Sequence, residues 1–360
     1  MSDYSNSGRN RDSNVPSAVQ SESSARTTVT ITGTGSCIPE KILTNDDLTK
    51  LVETTDEWIV SRTGIRERRI AAPNETASDM AVRAGVRALE SAGLGPGDID
   101  LVIVATITPD MLFPSTACLV QDRLGMRNVC AFDVEAACSG FIYITEIASA
   151  MLQSGRFRHA LIIGTEKLSS ILDWSDRSTC VLFGDGAGAA VLSREDNPGE
   201  GRVEVVDTLL GSDGSASNIL YMPGGGCRIP ASADSVAAGY HFLKMNGREV
   251  FKVAVRIMER AALEILQRNN VPLEKVRCII PHQANVRIIE MLSERMKLPM
   301  DRFHVNLDLL GNTSAASVPL ALDEAMAEGK ISDGDYVVLV AFGAGLTWGA
   351  TLLRRHEKSL

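Results

Sequence analysis

The sequence contains no run of about 18 consecutive apolar residues, the length that a membrane-spanning helix needs. Its first residues also lack the basic-then-apolar layout of a secretory signal. Basic residues are outnumbered, because 36 Lys and Arg stand against 45 Asp and Glu for a net charge of -9. Nucleic acid is bound by clustered basic surfaces. We therefore expect no membrane partner and no nucleic-acid partner.

The seven cysteines include no Cys-x-x-Cys pair and form an odd set, which disfavours a disulfide framework and a zinc site. They are Cys37, Cys118, Cys130, Cys138, Cys180, Cys227 and Cys278. We infer a reducing, cytoplasmic location and no metal.

Length and composition indicate a globular protein of about two lobes. The chain has 360 residues, of which 44% are hydrophobic and 22% charged, and domains average roughly 150 residues. Residues 1–28 have almost no large apolar side chains, so we expect a disordered N-terminal extension. Its Ser and Arg content also fits a plastid transit peptide, but Asp3, Asp12 and Glu22 argue against that alternative.

Strand-like and helix-like segments alternate from Val29 onward, which predicts an α/β fold. Thr76 and Asp79 indicate the start of a helix that ends near Gly93, followed by a buried strand over 101–106. The predicted apolar face of this helix comprises Val82, Val86 and Leu89. The same order recurs later, where apolar positions from 250 to 265 precede a strand over 276–280.

Both halves of the chain also close alike, with a Gly-rich turn entering a strand at 183–191 and at 342–350. This repeat favours duplicated α/β halves with an active site between them. A linker-like cluster at 196–201 puts the boundary near residue 200. We predict an N-terminal half over 29–200 and a C-terminal half over 201–360.

Cys138 lies where a strand-like run meets a helical pattern that continues through Met151. The positive end of a helix can lower a thiol pKa from about 8.5 to 7 or below, which favours the nucleophilic thiolate. Most free cysteines, however, are buried structural residues. Position alone therefore leaves both interpretations open.

Two further polar residues occupy suggestive places. His282 follows a buried-strand pattern, and ligands bind at strand ends in α/β folds, although a single such histidine is more often structural. Asn312 follows Gly311, where an ordinary helix N-cap is the simpler interpretation.

Taken together, the motifs resemble the ketoacyl-acyl carrier protein synthase III family of the thiolase superfamily over 29–355. The resemblance rests on the segments 33–36 (GTGS), 55–60 (TDEWIV), 62–66 (RTGIR), 131–141 around Cys138, 183–188 (FGDGAG), 281–285 (PHQAN), 311–316 (GNTSAA) and 347–349 (TWG). It implies a thiolase-like fold with mixed sheets and layered helices.

By this resemblance, Cys138, His282 and Asn312 form a catalytic triad. Cys138 takes an acyl group from acyl-CoA, and His282 and Asn312 hold the enolate formed when malonyl-acyl carrier protein loses carbon dioxide. Backbone N–H groups of Cys138 and of the 343–345 turn, at Ala344, form the oxyanion hole. Many relatives have Gly where Ala344 stands. The product is a 3-ketoacyl thioester, and no cofactor is needed besides the CoA thioester substrate.

The resemblance also assigns binding residues. The CoA-binding set is Trp58, Arg62, Arg177, Met245, Gly247, Phe251 and Asn285. The primer pocket is assigned to Phe113 and Leu168. The acyl-carrier-protein surface is assigned to Lys252, Arg287, Arg295 and Lys297, interrupted by Glu294. Residues 222–240 form a longer loop than is usual, with the composition of a mobile segment or lid.

The leading hypothesis is the initiating synthase of fatty acid synthesis, acting as a homodimer. A specialised condensing enzyme of polyketide or other secondary metabolism remains the main alternative. Thiolases and hydroxymethylglutaryl-CoA synthases need a second Cys or a Glu as base where this chain offers His282 and Asn312. A noncatalytic interaction protein of the same fold is the alternative from another class.

Overall fold

The computed structural model describes residues 27–196 and 198–357. The strands in these ranges are β1 Thr28–Cys37, β2 Lys41–Thr44, β3 Glu67–Ile70, β4 Leu101–Ala105, β5 Cys130–Val134, β6 His159–Glu166, β7 Gly186–Glu195, β8 Val203–Ser212, β9 Leu220–Tyr221, β10 Lys244–Met245, β11 Val276–Pro281, β12 Tyr336–Gly343 and β13 Thr347–Arg355.

The α-helices in the same ranges are α1 Asn45–Leu48, α2 Asp56–Thr63, α3 Ala77–Ala92, α4 Thr116–Arg123, α5 Gly140–Gln153, α6 Arg177–Cys180, α7 Ala233–Ala237, α8 Gly247–Arg268, α9 Val286–Met296, α10 Leu307–Leu310 and α11 Ser317–Ala327. None of these described helices has both the length and the apolar character required to cross a membrane.

Nine strands form one mixed sheet in the order β11-β12-β13-β8-β1-β7-β6-β4-β5. The same pairing occurs twice in it. β4 pairs with β6 in parallel, β6 pairs with β7 in antiparallel, and β7 pairs with β1 in antiparallel. β11 pairs with β12 in parallel, β12 pairs with β13 in antiparallel, and β13 pairs with β8 in antiparallel. This duplication confirms the expected fold class.

The two strand sets meet where β1 pairs with β8 through only two residue pairs. In the first strand set, β5 pairs in parallel with β4. At the equivalent place in the second set, Ile279 of β11 forms an isolated parallel bridge with Phe303. The first set spans 28–195 and the second 203–355. Residues 1–26 of the predicted N-terminal extension lie outside the described residues. Thr28 is already part of β1, so regular structure begins one residue before the predicted start.

α3 begins with the predicted capping box. The Thr76 hydroxyl accepts a hydrogen bond from the Asp79 N–H, and the Asp79 carboxylate accepts one from the Thr76 N–H. These two bonds satisfy N–H groups that the first helical turn leaves without partners. The helix ends at Gly93, whose φ of 67° is left-handed, as glycine permits.

The predicted apolar face of α3 was wrong at Val86, which is 37% exposed. The buried face consists instead mainly of small residues, among them Ala81, Ala84 and Ala88. α3 lies so close to β1 that a Cβ at Gly35 would be 2.4 Å from the Ala88 nitrogen. Large side chains do not fit between these backbones, although Leu89 of the predicted face is buried and Val82 packs against the same cluster.

Two helices enter the centre of the molecule through the same local structure. Ala137, with φ 45°, opens a 3-10 turn that leads into α5. Ser314, with φ 48°, opens a 3-10 turn that leads into α11. Positive φ strains residues other than glycine and persists only where surrounding structure enforces it. The two turns pack against each other, which brings Cys138 next to the segment that follows Asn312.

Candidate active site

A cleft that is partly open to solvent is lined by residues from both halves of the chain. Cys138, His282 and Asn312 all line it and are 7%, 4% and 6% exposed. The structure therefore brings the three sequence-predicted catalytic residues into one buried region.

The Cys138 thiol does not have the lowered pKa expected from a helix N-terminus. Burial raises the pKa of Cys138 to about 12, because apolar surroundings desolvate the thiolate. The neighbouring Ser314 side chain lowers this pKa, and the negative charge of Glu166 raises it, both with smaller effect. Desolvation therefore opposes the acidification that a helix N-terminus would give to this thiol, and it favours the uncharged form.

His282 follows β11, and its ring Nδ1 lies 2.6 Å from the Ser317 hydroxyl at the start of α11. Burial lowers the pKa of His282 to about 3, because the imidazolium would lose its hydration. Near neutral pH the ring is therefore uncharged. With Nδ1 held by Ser317, Nε2 is the nitrogen left for a substrate.

Asn312 is fixed by its backbone and by one side-chain atom. Its N–H donates to the Leu182 carbonyl at 2.8 Å, and its carbonyl accepts from the Gly184 N–H at 3.0 Å. The side-chain Oδ1 accepts a hydrogen bond from the Ser314 N–H at 2.9 Å. The helix N-cap interpretation of Asn312 was wrong, because Thr313 is the N-cap of the following 3-10 turn and forms no side-chain cap hydrogen bond. The bond to Ser314 leaves the Asn312 NH₂ group available to donate.

The turn after β12 lies against the Cys138 backbone. A Cβ at Gly343 would be 2.7 Å from the Cys138 nitrogen. Thr347 ties the turn in place, because its hydroxyl donates to the Ala136 carbonyl at 3.0 Å and lies 2.7 Å from the Ser139 hydroxyl. Ala344 does not have a left-handed backbone, so its methyl group causes no strain of that kind.

The outer cleft contains an aromatic ring and two guanidinium groups. The Trp58 ring centroid lies 4.9 Å from the Arg62 guanidinium carbon and 4.7 Å from that of Arg177. The remaining residues of the predicted CoA set also line this cleft. They are Met245, Gly247, Phe251 and Asn285.

The two primer-pocket residues do not line the cleft of this chain. Phe113 is 83% exposed, because the connection from β4 to α4 runs along the surface. Leu168 is fully buried and packs in an apolar cluster with Phe183, which itself lines the cleft. In the single chain, Phe113 therefore lies outside the cleft and Leu168 lies behind its wall, and their assignment to a primer pocket stays a prediction.

Several cleft residues were not predicted from the sequence. An apolar row on α8 comprises Val250, Ala254 and Met258. Their spacing of four residues could have revealed a common helix face. Two buried hydrogen-bonding residues, Glu166 and Ser314, were also missed. Glu166 ends an apolar strand, which is the same signal that singled out His282.

The basic positions assigned to carrier-protein binding differ in their partners. Lys252 pairs with Glu249 at 3.0 Å, and Arg295 pairs with Glu259 at 2.6 Å. Arg287 and Lys297 are exposed and form no ion pair within the described ranges. The same ranges contain no group of three or more His, Cys, Asp or Glu side chains placed to hold a metal ion.

Two family models match the chain. Residues 132–214 match 3-oxoacyl-[acyl-carrier-protein (ACP)] synthase III, and residues 266–355 match its C-terminal model. A beta-ketoacyl-[acyl-carrier-protein] synthase III from Caldanaerobacter subterraneus is 54% identical over 324 residues, which are 90% of this chain and 97% of that protein.

The fold is also similar to that of solved structures. The 3-oxoacyl-[acyl-carrier-protein] synthase III of Aquifex aeolicus has a TM-score of 0.83 at 49% identity and covers 91% of this chain and 99% of its own. The priming beta-ketosynthase of the R1128 polyketide pathway also has a TM-score of 0.83, at 36% identity, and covers 95% of this chain and 100% of its own.

Proposed function

The chain belongs to the 3-oxoacyl-[acyl-carrier-protein] synthase III family, and we propose that it joins a primer acyl-CoA to malonyl-acyl carrier protein. The products are a 3-ketoacyl carrier protein, CoA and carbon dioxide, and the reaction starts fatty acid synthesis. The observation that carries this proposal is the convergence of Cys138, neutral His282 and the Asn312 amide in one buried cleft.

The first half-reaction transfers the acyl group to Cys138. Its sulfur attacks the thioester carbonyl of acyl-CoA, the bond to the CoA sulfur breaks, and CoA leaves. The backbone of the 343–345 turn lies against the Cys138 N–H, so Cys138 and Ala344 are the proposed oxyanion donors. Donors fixed before the reaction stabilise developing charge without reorganisation.

The second half-reaction uses His282 and Asn312 as donors to an enolate oxygen. Loss of carbon dioxide leaves an electron pair on the malonyl thioester, whose oxygen takes the negative charge. Ser317 lies against Nδ1 of His282, and the Ser314 N–H donates to Oδ1 of Asn312, so Nε2 of His282 and the NH₂ group of Asn312 are the proposed enolate donors. Losing one such donor typically costs on the order of 10²- to 10³-fold in rate. The carbanion then attacks the acyl-Cys138 carbonyl.

The outer cleft suits CoA. Trp58 and the guanidinium groups of Arg62 and Arg177 offer an aromatic face and positive charge for the adenine and phosphates. The apolar row on α8 suits the pantetheine arm, with Met245, Gly247, Phe251 and Asn285 around the entrance.

Carrier-protein docking is assigned mainly to Arg287 and Lys297. Both are exposed and form no ion pair in the described part of the chain, whereas Lys252 and Arg295 already have carboxylate partners. Exposed Glu294 adds an opposing charge to this surface. An acidic carrier protein therefore gains most from the unpaired positions.

We propose that the enzyme is a cytoplasmic homodimer. β5 is the outermost strand of the sheet, and two apolar side chains of the preceding connection, Leu112 and Phe113, are 84% and 83% exposed. α4 follows this connection and is bonded to β5, because the Asp133 carboxylate accepts from the N–H groups of Thr116 and Ala117. If Phe113 shapes a primer pocket, a second copy of the chain must supply it.

Acylation by acetyl-CoA tests the proposed function and separates it from a noncatalytic interaction role. Intact-mass measurement is expected to show one acetyl group on the wild type and none on Cys138→Ala. Cys278→Ala is the matched control, since Cys278 is another buried thiol and should leave the adduct unchanged. Absence of any acyl adduct with every CoA primer, or an adduct on Cys138→Ala, would reject the proposal.

Asn312→Ala separates the two half-reactions. This variant should still accept an acetyl group, because Asn312 is assigned to the enolate and not to acyl transfer. Release of carbon dioxide from malonyl carrier protein should fall on the order of 10²- to 10³-fold. Normal decarboxylation would remove Asn312 from this role.

A priming role in polyketide synthesis is the second candidate, since the R1128 enzyme shares the fold at 36% identity. The 54% identity to a beta-ketoacyl-[acyl-carrier-protein] synthase III favours fatty acid synthesis. Comparing kcat/KM for acetyl-, isobutyryl- and octanoyl-CoA is the direct test. We expect a preference for a short primer.

A further inference from the structure

The 3-10 turn that leads into α11 holds both proposed enolate donors. The Ser314 N–H donates to Oδ1 of Asn312 at 2.9 Å, and three residues later the Ser317 hydroxyl lies 2.6 Å from Nδ1 of His282. A carboxamide has an acceptor end and a donor end. The Ser314 N–H faces the acceptor end of Asn312, so the NH₂ group points the other way. The position of this turn therefore decides what Asn312 offers a substrate.

Ser314 needs an external contact to keep this position. Its φ of 48° is in the left-handed region, which strains a residue with a Cβ and persists only where surrounding structure enforces it. The Ser314 hydroxyl donates a hydrogen bond to Oε1 of Glu166, the last residue of β6, at 3.0 Å. β6 also lies close to the turn, since a Cβ at Gly164 would overlap the Ala315 carbonyl oxygen. A polar side chain at the end of β6 therefore fixes Ser314 from the other half of the chain.

Glu166 is itself firmly held. The residue is 0% exposed, and its other oxygen, Oε2, accepts hydrogen bonds from the Thr108 hydroxyl at 2.6 Å, the Ile107 N–H at 3.2 Å and the Thr106 hydroxyl at 3.3 Å. These donors follow β4 in the N-terminal half, whereas Ser314 belongs to the C-terminal half. Each of these hydrogen bonds offsets part of the cost of burying the carboxyl group. Glu166 therefore joins the two halves at the point where the enolate donors are fixed.

We propose that Glu166 is a positioning residue for the second half-reaction, in which it holds Ser314 and thereby orients the Asn312 amide. This inference rests on the proposed function, because the enolate step belongs to it. When malonyl carrier protein loses carbon dioxide, the bond from the α-carbon to the carboxylate carbon breaks, and its electron pair moves negative charge to the thioester oxygen. Glu166 does not line the cleft, so it acts through Ser314 and not on the substrate.

The expected effect is confined to the decarboxylation step. Negative charge appears on the thioester oxygen only as carbon dioxide leaves, so a donor that points away raises the barrier without weakening binding. The kcat for carbon dioxide release should then fall while KM for malonyl carrier protein stays the same. Acyl transfer uses the backbone donors proposed at Cys138 and Ala344, which lie on other turns, and it should not slow.

Ser314→Ala tests the inference by removing the hydroxyl and keeping the N–H. Its kcat for carbon dioxide release from malonyl carrier protein should fall at least about 10-fold, up to a loss on the order of 10²- to 10³-fold. KM and the rate of Cys138 acetylation, followed by intact mass, should stay at the wild-type values. Ser169→Ala is the matched control, because the Ser169 hydroxyl also donates to a buried carboxylate, that of Asp185 at 2.6 Å, and neither residue lines the cleft. Both half-reactions should be unchanged in the control.

Glu166 variants test the same hydrogen bond from its other partner. Glu166→Met keeps a similar volume and removes both acceptor oxygens, so it should reproduce the loss in Ser314→Ala. Glu166→Gln can still bond Ser314, because a hydroxyl both donates and accepts, and it should retain most of the wild-type kcat. In the double variant that combines Ser314→Ala with Glu166→Met, the loss should be no larger than in the single variants, since both break the same hydrogen bond.

An equal loss in both half-reactions of Ser314→Ala would indicate a merely structural role and would overturn the inference, as would losses that multiply in the double variant. If Ser314→Ala does not fold, the comparison of Glu166→Met with Glu166→Gln carries the test, and equal kcat values in those two variants overturn it. A wild type that forms no acetyl adduct and releases no carbon dioxide rejects the proposed function. An active wild type with normal decarboxylation in Ser314→Ala rejects the positioning role alone.

Discussion

At the scale of single residues, burial sets the chemistry of the site. Cys138, Glu166 and His282 each lie inside the protein, and desolvation shifts each pKa toward the uncharged form. The result is a neutral thiol, a carboxyl group that titrates near neutrality, and an uncharged imidazole. Such a site offers a substrate hydrogen-bonding groups and no fixed charge at these three positions.

The lowered pKa of His282 predicts a pH-dependent stability. Between its folded pKa of about 3 and an ordinary value of 6.5, the unfolded chain binds a proton that the folded chain does not. The free energy of unfolding should therefore fall as pH drops below about 6.5, by at most about 1.4 kcal/mol per pH unit from this group. In His282→Gln, urea unfolding should show a smaller loss over the same range.

His241→Gln is the control for that experiment. The His241 ring bonds Ser235 in the 222–240 region, and the residue does not line the cleft. If the free energy of unfolding fell by the same amount at low pH in the wild type and in His282→Gln, the result would contradict a buried, uncharged imidazole.

At the scale of elements, close backbone packing decides which residues are tolerated. α3 packs closely on β1 at Gly33 and Gly35, and the turns before α5 and α11 meet at the centre. These contacts fix the position of Cys138 relative to Asn312.

Gly35→Ala should therefore destabilise the protein by about 1 to 3 kcal/mol, because a methyl group would overlap α3. Its Cβ would lie 2.4 Å from the Ala88 nitrogen and 2.6 Å from the Ala84 oxygen. Gly97→Ala is the matched control, since nothing lies within 4 Å of a Cβ at that position. Chemical denaturation measures both variants, and equal stability would show that β1 and α3 separate easily.

At the scale of the whole molecule, the exposed apolar connection from β4 to α4 beside the outer strand β5 is typical of a surface that another protein chain covers. Leu112→Asp should shift the protein from dimer to monomer in light scattering, because a carboxylate would be buried without a partner. Leu51→Asp is the control, since Leu51 is also apolar and 53% exposed but follows α1. A wild-type monomer at micromolar concentration would contradict the proposed homodimer.

Much of the fold follows from local sequence. The capping box at Thr76 and the apolar run at 101–105 act through neighbours in the chain, so α3 and β4 could be predicted from them. The repeated order of elements predicted the duplication. Val86 could not be placed correctly, because its exposure depends on how closely α3 approaches β1.

The sequence by itself predicted the alternation of elements and the duplicated halves, and its motifs singled out Cys138, His282 and Asn312 through a family resemblance, because motifs and periodicity are properties of neighbouring residues. Only the tertiary structure decided the burial of these three side chains, the outward position of Phe113 and the hydrogen bond from Ser314 to Glu166. Desolvation and contact depend on segments far apart in the chain. Glu166 and Ser314 are 148 positions apart, and only folding brings them within 3.0 Å.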